Sequence, residues 1–143
     1  MNPQIRRKAA AGLMILRSKN QLEAGVTIKY LLELMNIQDK EMRKMLYSFI
    51  LNDLKRLNKN HRSNKVNNEL QNYFANYIQK NSDVAAKKMI TLSIDLWKRN
   101  IWTENKVVDL IARGCFNDSA KIRLISAYFL ISTTEAQPEE DSD

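Results

Sequence analysis

The feature that most constrains this chain is a capped, basic helix start that recurs along it. An Asp or Asn opens an apolar helix, and bases follow about one turn later. The copies begin at Asn2 (with Arg6 and Arg7), Asp39 (Arg43, Lys44), Asp83 (Lys87, Lys88) and Asp118 (Lys121, Arg123). Their spacing is roughly 40 residues, the period at which helix pairs repeat in stacked arrays. One such pair cannot bury its own apolar face and is stable only against its neighbours. Stacks of this kind hold other macromolecules on long surfaces. Acid at a helix start and base one turn on also satisfy the helix dipole and favour i,i+4 pairs, which stacked repeats can join into a ladder. Asn2, Arg6, Asp39, Arg43, Asp83, Lys87, Asp118 and Lys121 are therefore read as a structural signature. A basic stripe meeting phosphates is the functional alternative.

The remaining sequence agrees with helices throughout. Only three glycines and two prolines occur in 143 residues, which leaves few turn formers. Asn2 as cap and Pro3 as first helical residue predict a helix over 3–18, with Ile5, Ala9, Gly12, Leu13 and Leu16 inward. A turn around Gly25 precedes a second helix to about Met35, burying Val26, Tyr30, Leu31, Leu34 and Met35. The third, 39–57, has the cleanest period: Met42, Met45, Leu46, Phe49, Ile50, Leu54 and Leu57. Further helices are predicted at 66–79, 83–99, 104–116 and 118–132, the fifth being apolar nearly all round and so central. Pairing them as 2–3, 4–5 and 6–7 leaves the first helix without a partner, so the chain is expected to begin within a repeat. The expectation is an all-α fold, an α-solenoid of HEAT/armadillo-like helix pairs over residues 1–133. An acidic, disordered tail or linker follows at 134–143.

Charge is unevenly placed. The formal net charge is +7, yet 135–143 carries Glu135, Glu139, Glu140, Asp141 and Asp143 and no base, so the body is more basic still. A basic body suggests a polyanionic partner, nucleic acid being the commonest. The densest stretch is 55–65, where Lys55, Arg56, Lys59, Arg62 and Lys65 occur with no acid among them. Asn58, Asn60, Asn64 and Asn67 add amides suited to backbone or base edges. Lys98 and Arg99 form a second basic group between Trp97 and Trp102. Those indoles are read as packing that closes an interhelical turn, with base stacking as the alternative. The acidic tail is a candidate competitor for the basic surface.

Little here supports catalysis. His61 is the only histidine and Cys115 the only cysteine, so no zinc ligand set and no Cys–His or Ser–His nucleophile is apparent. Cys115 falls in an apolar helical phase and reads as a buried thiol. Gly12, Gly25 and Gly114 are isolated, so no phosphate-cradling loop exists. A nuclease built on His61 would need nearby carboxylates, and Asp53 and Glu69 are distant in sequence. Residues 1–16 mimic a signal peptide but lack a small-residue cleavage site, and the apolar run is too short to span a bilayer. A soluble, intracellular protein without metal, cofactor, membrane or small-molecule substrate is expected.

Two stretches resemble a known family: residues 55–72, KRLNKNHRSNKVNNELQN, and 96–116, LWKRNIWTENKVVDLIARGCF. They are similar to the nucleolar family named for severe depolymerization of actin, the Sda-type factors of large ribosomal subunit assembly and export. The matching positions are His61, Asn64, Lys65, Val66, Asn67, Leu70, Gln71 and Asn72, then Arg99, Asn100, Ile101, Trp102, Cys115 and Phe116. Met42, Arg43, Lys44, Met45, Leu46 and Tyr47 resemble a third family segment. Similarity covers nearly all of 1–134, and the acidic tail resembles the start of the family's acidic linker. Family members are several times longer, with regions on both sides of the matched part.

The resemblance implies a nuclear and nucleolar, non-catalytic scaffold on precursors of the large subunit, with ribosomal RNA and assembly factors as partners. The candidate contact residues are Lys55, Arg56, Lys59, His61, Arg62, Asn64, Lys65, Asn67, Lys98 and Arg99. The rival reading is a protein-only adaptor in nuclear transport or trafficking.

Overall fold

The computed structural model describes residues 2–136; most of the predicted acidic tail, 137–143, lies outside them. Among the described residues there are seven α-helices, one short 3-10 turn and no strand. They are α1 (Pro3–Ser18), α2 (Ala24–Leu34), α3 (Lys40–Leu57), α4 (Asn64–Lys80), α5 (Val84–Lys98), α6 (Asn105–Arg113), the 3-10 turn Gly114–Phe116, and α7 (Ala120–Ala136). The all-α reading holds, and α7 continues beyond its predicted end at 132. The chain divides into two compact units, with the division inside α4 between Leu70 and Gln71.

In the first unit the helix starts are capped as the sequence signature requires. Asn2 Oδ1 accepts from the Gln4 N–H at 2.8 Å, and Asp39 Oδ1 from the Met42 N–H at 3.1 Å. The charge partner of Asp39 is not Arg43, four residues on, but Arg7. Arg7 Nε lies 2.8 Å from Asp39 Oδ2 and Nη2 2.9 Å from Oδ1. A cap carboxylate folds back over its own first turn, and here its remaining lone pairs meet the start of α1. That fork, with the Met42 N–H behind it, holds the Asp39 carboxyl at about 2, below its ordinary 3.8. The same bond raises the Arg7 guanidinium. One rung of the expected ladder is thus present between the starts of α1 and α3, the first two copies of the signature.

α2 and α3 pack together and bury Ile28, Leu31, Leu32 and Met35 with Met42, Leu46, Ile50 and Leu54. Val26 and Tyr30, predicted inward, are exposed. Gly25 is no turn residue either: it lies in the first turn of α2, buried, with the Glu69 carboxylate where a side chain would be. Glu69 is held there by Lys29 at 2.8 Å. α1 is also rotated from its predicted setting. Its buried residues are Ala10, Met14 and Arg17, whereas Ile5, Ala9 and Leu16 are exposed. The reason is Asp53, an acid buried on α3. Arg17 Nε reaches Asp53 Oδ2 at 2.9 Å, with both side chains almost wholly buried. A second Arg17 nitrogen donates to the Leu22 carbonyl at 2.8 Å. A buried carboxylate needs a cation, and the i, i+4, i+7 row ending in Arg17 turns inward with it.

In the second unit α5 packs against α6 and α7 and buries residues on nearly every side, among them Ala86, Met89, Ile90, Ile94 and Leu96. The Asp83 cap accepts from the Ala86 N–H at 2.9 Å and from the Tyr77 hydroxyl at 2.6 Å. The fourth predicted cap, Asp118, is displaced by its neighbour. α7 starts at Ala120, and the Ile122 N–H points to Ser119 Oγ at 3.4 Å. Asn117 sets this register: its Nδ2 donates to the Ile78 and Asn81 carbonyls, each at 2.8 Å, and its Oδ1 accepts from the Ser119 N–H at 2.9 Å. Gly114 lets α7 come close, since a Cβ there would collide with the Ser126 hydroxyl and touch Ile90.

α1 and α5 end alike. Asn20 and Asn100 are the two non-glycine residues at positive φ among those described, near +60°. After each, the next N–H bonds back to the carbonyl five residues earlier: Gln21 to Leu16 and Ile101 to Leu96, both at 2.9 Å. That is the Schellman stop, with Asn in place of the commoner Gly. It accounts for the Arg99-Asn100-Ile101-Trp102 run. Asn100 reverses the chain, and Ile101 and Trp102 are buried just beyond it. The Trp102 ring lies 5.7 Å from that of Phe74. Trp102 therefore packs as predicted, while Trp97 is only half-buried.

Candidate nucleic-acid interface

The basic stretch 55–65 is the last turn of α3, a loop, and the first turn of α4. Its conformation follows from one side chain. Asn58 caps the end of α3, and its Nδ2 donates to the Leu54 carbonyl at 2.8 Å and to Asn67 Oδ1 at 3.2 Å. Its Oδ1 accepts from Asn67 Nδ2 at 2.8 Å and from the Ser63 N–H at 2.9 Å. All four hydrogen-bonding valences of the amide are thereby used. Both ends of the loop are tied to one residue, and Asn67 is fully buried on α4. Asn67 is therefore withdrawn from the set of candidate contacts: its amide is spent inside the fold and cannot reach a ligand.

Around this lock Lys55, Lys59, His61, Asn64 and Lys65 are exposed. Arg62 is exposed as well and engaged within the fold. Arg56 is half-committed, because its Nη2 lies 2.7 Å from Asp53 Oδ1, so the stretch is not wholly unopposed. What remains is Lys59 and the His61 imidazole on a loop whose backbone is fixed from inside, with Lys55 and Lys65 on the helix turns that flank it. Such a group can meet phosphate oxygens; it offers no nucleophile–base pair. Among the described residues no group of three or more His, Cys, Asp or Glu is placed to hold a metal. No described helix is long and apolar enough to cross a membrane.

Lys98 and Arg99 belong to the second unit, exposed at the end of α5. Of the repeat signature, Arg6, Arg43 and Lys87 are half-buried and Lys121 is exposed. Cys115 is half-buried in the 3-10 turn, not in helix interior. Sequence reasoning passed over two exposed apolar features. Phe116 is almost fully exposed, and α7 carries Leu124, Tyr128 and Ile131 on its open side. The signal for the second was present, since residues 120–131 are apolar on more than one helical face.

Capped helices at a roughly 40-residue period, packed within each unit through apolar rows, define a helical-repeat protein of the HEAT class. The family model described as "SDA1, HEAT repeat" matches residues 1–143, and the chain belongs to that family. It is 36% identical over 140 residues to a Protein SDA1 homolog of Xenopus tropicalis, covering 98% of this chain and 20% of that one. It is 34% identical to the Nematostella vectensis homolog, over 100% of this chain and 21% of the other. With Protein SDA1 of Chaetomium thermophilum the identity is 25%, over 100% and 19%. The chain spans about a fifth of the length of these relatives.

Proposed function

We propose that this chain is a non-catalytic HEAT-repeat scaffold acting in maturation and nuclear export of large ribosomal subunit precursors. Its place is the nucleolus and nucleus, and its partners are ribosomal RNA and assembly factors. Family membership and the resemblance of the 55–72 and 96–116 stretches support the setting. The observation that carries the RNA reading is the locked loop. Asn58 and Asn67 fix its backbone while Lys55, Lys59 and Lys65 stay exposed. A pre-set loop loses less conformational entropy on meeting a partner.

The test is a titration against structured RNA at several salt concentrations, with wild type and a Lys55→Ala/Lys59→Ala/Lys65→Ala variant. Phosphate contacts release counterions, so log affinity should fall linearly with log salt, and the variant should flatten that slope by about 2–3 units. Equal slopes would show that the loop does not touch phosphate and would favour a protein-only adaptor.

A further inference from the structure

α4 carries a row of amides that the fold leaves unused. Asn64, Asn68, Asn72 and Asn76 follow one another at i+4, and all are exposed. On one continuous helix they stand about 6 Å apart along the axis. Among the described residues, Asn68, Asn72 and Asn76 make no side-chain hydrogen bond within the fold. Other asparagines have internal roles. Asn20 and Asn100 take positive φ, Asn58 and Asn67 lock the loop, and Asn117 binds carbonyls at the end of α4. Asn is a poor helix former, because its amide competes for the backbone. A helix face that meets only water is better filled with Lys, Glu or Ala, so the row needs a reason outside helix formation.

The chemistry of this face selects its occupant. Its apolar residues Leu70, Phe74 and Ile78 are all on the buried side. A protein cover, whether a separate partner or a further part of the same protein, depends on apolar anchors that the outer side lacks. The charges are basic. Lys65 and Lys80 are exposed at the two ends of α4, and Arg113 reaches Gln79 from α6 at 3.3 Å. The single acid of α4, Glu69, is taken up by Lys29 at 2.8 Å. Polar, positive surfaces suit nucleic acid. The face offers no open ring on which unpaired bases could stack. Tyr73 and Tyr77 are half-buried with their centroids 5.9 Å apart, and the Tyr77 hydroxyl donates to Asp83. That disfavours single strands. A carboxamide both donates and accepts, as a ribose 2′-hydroxyl does, and A-form RNA displays those hydroxyls in a wide, shallow minor groove.

We propose that the outer face of α4 lies along the minor groove of double-stranded RNA. Asn68, Asn72 and Asn76 hydrogen-bond ribose 2′-hydroxyls there, and Lys65 and Lys80 meet the flanking phosphates. The inference rests on the RNA reading above and adds to it a second surface and a class of RNA. That class is duplex, recognised by its shape and sugars and not by its sequence.

The full chain is titrated against an RNA duplex of about 16 base pairs, the DNA duplex of the same sequence, and one RNA strand alone, each at several salt concentrations. Duplex RNA should bind the most tightly of the three. Asn68→Ala/Asn72→Ala/Asn76→Ala should weaken it by about tenfold at every salt concentration, the loss expected of three hydrogen bonds. The slope against salt should not change, because neutral amides release no counterions. The same variant should bring the RNA and DNA duplexes to equal affinity. Ala is the better helix former, so the variant should melt at or above the wild-type temperature, and unfolding cannot then account for the loss. Unchanged affinity of this variant for duplex RNA, while Lys55→Ala/Lys59→Ala/Lys65→Ala still flattens the slope, overturns the inference and leaves the RNA reading standing. So does a single strand that binds as tightly as the duplex. Failure of every RNA to bind overturns both.

Discussion

Replacing Asp53 and Arg17 singly and together should show which of the two depends on the other. Among the described residues Asp53 has two cationic partners, Arg17 at 2.9 Å and Arg56 at 2.7 Å, while Arg17 has Asp53 and the Leu22 carbonyl. Asp53→Leu leaves a guanidinium inside the fold with one carbonyl for company, a loss of about 3–5 kcal/mol. Arg17→Met removes one charge-assisted bond but leaves Asp53 paired to Arg56, whose side chain is 46% exposed and solvated. That change should cost about 1.5–3 kcal/mol. In the double variant no charge is stranded, since the freed Arg56 turns to water, and two apolar side chains fill the space. Its stability should return to within about 1–2 kcal/mol of wild type, as apolar replacements of buried pairs often do. Urea unfolding followed by circular dichroism gives the three differences. Single losses that add to the double within about 0.5 kcal/mol would show no coupling. Equal losses for the two singles would show that Arg56 does not sustain Asp53.

Asn67→Ala should cost about 1–3 kcal/mol by unpairing Asn58, and should raise proteolytic cleavage between 58 and 64, as mass spectrometry of a brief digest would reveal. Asn100→Gly should be nearly neutral by thermal melting, whereas Asn100→Val, forced to positive φ, should lose about 1–2 kcal/mol. Gly114→Ala should lower stability by about 1–3 kcal/mol through its clash with Ser126, with Ser126→Ala restoring part of it in a paired melt. Asp39 titrates below its ordinary range, so its contribution is complete above about pH 4 and fades as pH falls toward about 2. Asp39→Asn should therefore flatten the acid limb of the stability curve in that window and leave the neutral-to-alkaline limb parallel to wild type.

The legible parts of this fold were those decided within one helix. Met42, Leu46, Ile50 and Leu54 form a row that only a helix can align, and all four are buried. The rotation of α1 was not legible, because it answers to Asp53, thirty-odd residues away, and a periodicity count ranks Leu16 above Arg17. Val26 and Tyr30 misled for the same reason: the inner face of α2 is set by its contact with α3 and by the space Gly25 leaves for Glu69. Asp118 and Ser119 are both competent caps side by side, and the choice was made by Asn117 bonding to the end of α4. For the candidate interface, the exposed lysines were visible as a charge run. Asn67 was not separable from an amide that reads bases, since its role depends on Asn58 across the loop.

Asp39 belongs at once to two levels of the structure. Its carboxylate closes the first turn of α3 and also grips Arg7 at the start of α1. Fraying of either helix start therefore costs the other one charge-assisted pair, which couples the two openings. The two capped amides, those of Gln4 and Met42, should then both exchange faster when the Arg7–Asp39 pair is removed, although they stand more than thirty residues apart along the chain. A side chain shared between a local cap and a distant ion pair makes each fraying event depend on the other.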